Sequence, residues 1–388
     1  MPVQAVSRRF EAKMDAIAPE ALPALTRTVL ASAFALAFVF GAAAQRIGFC
    51  TMGAVGDWVN FGDRTRMRQW LLAIACAIFG TQLLAAAGLI DTADSIYTGA
   101  RFTWLAYLAG GLCFGFGMVL AGGCGSRTLV RVGAGSLKSL VVFLVLGLSA
   151  YATMRGALAL VRASVIEPIG LQLPTAQDLP ALAVNFAPVA RTTAHGALGL
   201  ALATAIALWV LRDPAFRTRE NVLGSATIGA TVVGVWFVSG YIGHLAEHPL
   251  TLEEAYIGTA TGKMESLTFV APIAHTLDWL MFASDRSKAV TLGVATVLGT
   301  VAGSAASALL SGRFRWEGFA GTEDTANHLV GGMLMGFGGV TAMGCTIGQG
   351  LSGLSTLALG SFLVFGAIVA GAVLGVKYQA WRVERTSV

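Results

Sequence analysis

Two cysteines close two copies of one phrase. The first copy, GGLCFGFGMVLAGGCG, runs from Gly110 to Gly125, and the second, GGMLMGFGGVTAMGCT, from Gly331 to Thr346. Each ends on a Gly-Cys pair after an apolar stretch: Gly123-Cys124 and Gly344-Cys345. A shift of 221 residues (345 minus 124) superimposes the pairs. It also carries Gly110, Gly111, Gly115, Phe116, Gly117, Val119 and Ala121 onto identical residues. Where an apolar helix meets glycine-rich backbone, the free N–H groups of the following half-helix form a positive end that attracts anions. A thiol at such a break can donate a weak S–H hydrogen bond, or ionise in a positive field. Cys50 stands at a further glycine break, but its counterpart under the shift is Ala271, so this third thiol has no twin. Three thiols at three breaks could line one axial path. The plainer alternative is that each is a small residue permitting close packing. Gln349, four residues after Cys345, could donate to an anion or hold a packing hydrogen bond between helices. Of the cations, Arg46 and Arg127 stand at breaks, and both read as interfacial residues that snorkel toward water.

These residues need elements to hold them, and the composition says which. The chain has 388 residues, 55% hydrophobic and 12% charged, with a mean hydropathy of +0.71. Soluble domains carry about 25% charged residues, so this chain cannot cover a water-facing surface. It reads as an all-α integral membrane protein, with apolar runs of about 20 residues as spanning helices. The net charge of +5 is spread among loops. No basic stripe points to nucleic acid. The odd number of cysteines, in or beside apolar runs, argues against a disulfide framework, and Cys76 and Cys113 read as packing residues. No His-Cys spacing suggests a zinc site. Neither a P-loop nor a GxSxG motif is present, so no metal, cofactor, ATP-driven pumping or hydrolysis is expected.

The chain divides into a polar tail (1–24), a first repeat (25–161), a connector with one extra span (162–221), a second repeat (222–378) and a tail (379–388). Nine spans are expected, near Leu25–Gln45, Gln69–Ile90, Phe102–Ala121, Ser139–Val161, His195–Leu211, Leu223–Gly243, Ala289–Ser311, His328–Gly344 and Ser355–Tyr378. Arg46–Phe61 and Glu265–Phe282 are too short to cross and read as re-entrant segments, which membranes tolerate where protein covers them. The 221 shift also places Asp57, Trp58 and Phe61 on Asp278, Trp279 and Phe282. An odd number of spans separates the starts of the two copies, so they must be inverted, and inverted repeats with interrupted helices place a substrate site where the halves meet. The twin acids Asp57 and Asp278 are expected to cap half-helix ends. Fifteen of the 26 Lys and Arg residues fall opposite the N-terminus, which favours the N-terminus outside and the C-terminus in the cytoplasm.

The phrases GFGMVLAGGCGSR and MGFGGVTAMGCTIGQGLSGLSTLALGSFL, with RIGFC upstream, resemble the YeeE/YedE family of bacterial sulfur-transport membrane proteins, over residues 25–378. The resemblance implies passage of thiosulfate or a related sulfur anion through the inner membrane. Its functional cysteines would map onto Cys50, Cys124 and Cys345, with Gly123, Gly344 and Gln349 beside them. It also implies a small cytoplasmic sulfur carrier of the TusA type as a partner, alongside membrane lipid. An alternative chemistry is thiolate attack on the sulfane sulfur to give a transient persulfide. Another is transport of a selenium or sulfide species.

Overall fold

A computed structural model describes residues 19–186, 190–285 and 288–386; residues 1–18 of the expected N-terminal tail lie outside the described residues. The chain folds into α1 (Leu22–Ile47), α2 (Thr51–Phe61), α3 (Thr65–Ala86), α4 (Trp104–Leu120), α5 (Gly125–Gly133), α6 (Leu137–Arg155), α7 (Ala157–Val161), α8 (Leu179–Phe186), α9 (Arg191–Leu211), α10 (Arg219–Phe237), α11 (Val270–Met281), α12 (Leu292–Leu310), α13 (Thr322–Thr341) and α14 (Leu359–Thr386). Among the described residues, strand structure is confined to two antiparallel pairs, β1 (Arg101–Phe102) with β2 (Leu171–Gln172) and β3 (His244–Leu245) with β4 (Ala255–Tyr256). Among the described residues, eight helices are long and apolar enough to cross a membrane. The protein is therefore an all-α, multi-pass membrane protein. α13 runs beside them and coincides with the expected span at His328–Gly344, but it starts earlier, in an acidic first turn holding Glu323 and Asp324. α14 continues through the expected C-terminal tail to Thr386.

Local chemistry starts several of these helices. Ser136, Thr218 and Thr291 each accept an N–H from three residues on, capping α6, α10 and α12. Each cap satisfies a donor that the first helical turn leaves free. Helix ends gather into two polar layers. One is basic: Arg46 pairs with Glu220, Arg68 with Asp213 and Lys138 with Glu317. The other holds Asp91 with Arg191, and Asp94, which accepts the Tyr256 hydroxyl.

Between the layers, glycines let helices touch backbone to backbone. α4 and α13 cross so that a Cβ on Gly110 would stand 2.7 Å from Gly338 O, and one on Gly338 2.6 Å from Gly110 O. Gly117 and Gly331 meet in the same crosswise way, at 2.8 and 2.6 Å. The 221 shift maps Gly110 to Gly331 and Gly117 to Gly338, so each of the two contacts is the repeat's image of the other. α1 and α12 are tighter still, with a Cβ on Gly303 falling 1.9 Å from Phe38 O. Because that neighbour is backbone, the helices themselves must part. Gly303→Val is expected to destabilise the protein by at least about 1–3 kcal/mol, read as a lowered thermal midpoint in detergent. Gly366→Ala, where no atom stands within 4 Å, should leave the midpoint unchanged or raise it.

Candidate functional site

Three times the chain breaks in the same way. A residue in the left-handed conformation ends a long helix, one residue follows, and a cysteine opens a short helix. The left-handed residues are Gly48 (φ 64°), Gly122 (φ 68°) and Met343 (φ 56°), each two positions before Cys50, Cys124 and Cys345. At the second and third breaks the closure is a pair of bonds: Gly123 N–H donates to Met118 O and Gly122 N–H to Val119 O, as Gly344 does to Gly339 O and Met343 to Val340 O. This six-to-one and five-to-two pattern stops a helix and leaves the next residue extended. Glycine suits the left-handed position; at Met343 the same φ carries a steric penalty. Gly123 and Gly344 act here through their backbone. Their N–H groups close helix ends, and what they offer is the turn that presents the thiol.

Each thiol then sits on a short helix's first turn. Cys50 caps α2, where Sγ accepts from Gly53 N–H at 3.4 Å. Cys124 precedes α5, and its Sγ meets Ser126 Oγ at 3.3 Å. Cys345 Sγ accepts from Gly348 N–H at 3.4 Å and also faces the N–H groups of Ile347 and Phe269. Phe269 is the N-cap residue of α11. Cys345 thus lies between two short-helix N-termini, and at the fourth break an aromatic residue takes the place of a thiol. All three thiols are buried. The Cys124 side chain is within electrostatic reach of both Cys50 and Cys345. Beyond Cys345, Tyr97 stands within reach of that thiol and of the buried Glu265. Arg66 stands beside Gly53 on the first turn after Cys50, and Arg127 is within electrostatic reach of Cys50 and Cys124.

Comparison with known proteins matches residues 46–374 to the sulphur transport family model. The chain belongs to that family. The chain is also similar to the thiosulfate transporter TsuA of Escherichia coli K12, at 31% identity over 325 residues, 81% of this chain and 84% of that protein. It is similar to the thiosulfate transporter TsuA of Spirochaeta thermophila as well, at 27% identity over 335 residues, 84% of this chain and 92% of that one. The region matched to the sulphur transport family takes in all four breaks.

Other expected residues fall differently in this sulphur transport fold. Gln349 lies in a π-helical turn, Gly348–Gly353. Its Nε2 donates to Ala342 O at 2.7 Å and its Oε1 accepts from Ser361 Oγ at 2.7 Å. The amide ties the break to the start of α14, which is the packing alternative. The extra residue of the π turn changes the register. Between the helix that opens at Val270 and this turn, equivalent positions differ by 221. After it, Leu137 N–H donating to Glu317 O matches Leu359 N–H donating to Gln177 O, a difference of 222. Asp57 and Asp278 do not cap helix ends. Asp57 pairs with Arg66 at 3.3 Å, and Asp278 with Lys288 at 2.7 Å. Arg46 behaves as an interfacial residue, its side chain 75% exposed in an ion pair with Glu220. Arg127 is partly exposed. Its Nη1 is sealed from solvent and has no hydrogen-bond partner among the described residues, as are Thr51 Oγ1 and Thr346 Oγ1, one residue after Cys50 and Cys345. Sequence reading named Arg127 as an interfacial residue and missed both threonines. The only signal available was the Cys-Thr dipeptide repeated at two breaks.

Proposed function

We propose that this protein takes up thiosulfate, or a closely related sulfur anion, across the bacterial inner membrane through a path lined by Cys50, Cys124 and Cys345 and by short-helix N-termini. The observation that carries the reading is the recurrence of one break, a left-handed residue followed two positions later by a cysteine that opens a short helix, in a member of the sulphur transport family. The curated relatives named as thiosulfate transporters supply the substrate. The physical argument is that thiosulfate is a dianion with a soft terminal sulfur. Short-helix N–H groups offset charge without fixing it as an arginine cage would. Thiols are weak donors matched to a soft acceptor, so the anion passes from thiol to thiol by S–H hydrogen bonds. No bond is made or broken, and the protein acts as a transporter and not as an enzyme.

On this reading the chain has nine spans, with the four short helices re-entrant, and two inverted repeats. The crosswise contacts of Gly110, Gly117, Gly331 and Gly338 are what a two-fold axis in the membrane plane would generate. The basic layer faces the cytoplasm, with the N-terminus outside. There it would receive a TusA-like sulfur carrier. The test is growth and labelled uptake in a bacterium stripped of its other thiosulfate routes: expression of this chain should restore uptake of thiosulfate and not of sulfate. A strain that makes the protein in its membrane and gains no uptake would refute the proposal.

A further inference from the structure

Within electrostatic reach of Cys50 and Cys124 lies a cation whose charge no described residue answers. Three arginines surround the first two breaks. Arg66 pairs with Asp57 at 3.3 Å. Arg131 Nη1 donates to Gly122 O at 3.0 Å. Arg127, on the first turn of α5, has no ion pair among the described residues, and its Nη1 is shielded from water with no acceptor. Its electrostatic neighbours are Cys50 and Cys124, together with Arg131 and Arg66. A guanidinium left unpaired beside two more of its kind is costly unless an anion visits it. The second orphan donor is close in sequence to the same thiol. Thr51, 3% exposed, directly follows Cys50, and its hydroxyl has no partner among the described residues. Buried polar groups are nearly always satisfied, so two unsatisfied donors flanking one thiol point to a ligand.

We infer that Arg127 and Thr51 form an oxyanion site at the basic end of the thiol path, which takes the sulfonate end of a divalent sulfur oxyanion. The ligand class rests on the thiosulfate reading above; the site rests on the unpartnered donors. The chemistry divides the anion in two. A sulfonate presents three oxygen acceptors, which suit a guanidinium and a hydroxyl. The sulfane sulfur is left for Cys50 and Cys124. The site is one-sided. The shift of 221 maps Arg127 to Gly348, a residue packed against Thr268 and the Tyr97 hydroxyl. On that side the charged neighbour of Tyr97 is Glu265, whose carboxylate accepts from Ala260 N–H and from the Thr261 N–H and hydroxyl. The acid Glu265 lies toward Cys345 and the guanidinium of Arg127 toward Cys50, an asymmetry that favours an anion on the Arg127 side.

The purified protein in detergent, titrated with thiosulfate and separately with sulfate while its thermal midpoint is followed, tests the site without requiring transport. Both anions should stabilise the wild type. Arg127→Gln should weaken binding of both by about tenfold or more, because a charge-assisted hydrogen bond is lost. Arg127→Lys should recover part of the loss. Thr51→Val should weaken binding by about three- to tenfold, the worth of a neutral hydrogen bond. Ligand-free midpoints of the variants close to wild type show that they fold. Wild-type affinity in Arg127→Gln, or no stabilisation of the wild type by either anion, overturns the site. Uptake that persists while binding ignores Arg127 leaves the transport reading standing and the site refuted. Arg127-dependent binding without uptake does the reverse.

Discussion

Cys124→Ala is expected to lower thiosulfate uptake to about a tenth of wild type or less, with the protein still folded and in the membrane. Cys124 is within electrostatic reach of both other thiols and is fully buried, and its sulfur touches Ser126 Oγ at 3.3 Å. An anion leaving Cys345 for Cys50 has no other thiol between them to bind. Removing one hydrogen bond to a charged ligand costs about 1.5–3 kcal/mol, and each 1.4 kcal/mol is a factor of about ten in rate. The structural cost is smaller. A sulfur deleted from a packed site leaves a void of roughly one methyl group, at about 1 kcal/mol. The check is labelled uptake normalised to protein in the membrane, alongside the thermal midpoint. A large fall in uptake with a small fall in stability separates a transport role from the packing alternative.

Gln349→Leu is expected to show the opposite balance, a large loss of stability that drags uptake down with it. The amide is fully committed: Nε2 to the carbonyl of Ala342, which ends α13's last turn, and Oε1 to the Ser361 hydroxyl at the start of α14. All of it is buried. Leucine would leave one carbonyl and one hydroxyl unsatisfied, at about 1–3 kcal/mol each. The break that holds Cys345 would lose the tie that fixes it against α14. Glutamate is the informative second substitution. It keeps an acceptor for Ser361 but can no longer donate to Ala342 unless protonated, so Gln349→Glu should recover stability on acidification. If Gln349→Leu instead kept its thermal midpoint and lost thiosulfate affinity, the amide would be a ligand to the anion.

Much of this architecture is legible in the sequence because it rests on short-range rules. Apolar run length gives the spans, and a Gly-Cys pair after such a run marks a break. The repeat at 221 residues is enough to locate two of the thiol sites, and the resemblance of RIGFC picks out the third. What is not legible depends on which groups meet across the fold. That Arg127 Nη1 is sealed from water without an acceptor is decided by the packing of α5 between its neighbours, and its own sequence context suggests snorkelling. Gln349 could have faced the path or the helix; the one-residue excess of the π turn rotates it onto Ala342 and Ser361. That excess is invisible to an ungapped shift, because the matched motif ends before it. The second half also carries a segment, Gly243 to Thr268, between α10's π-helical end and α11, where the first half turns within Gly48 and Phe49. This insertion holds Glu265 and the β3–β4 pair, and makes the two ends of the path unlike.

The most direct test of the central claim is flux of labelled thiosulfate into proteoliposomes containing wild type, Cys50→Ala, Cys124→Ala or Cys345→Ala at equal protein. The thiol path predicts uptake by the wild type, and a loss of about tenfold or more in each single variant, while Cys76→Ala and Cys113→Ala transport normally. Full-rate uptake by all three of the first variants would contradict it.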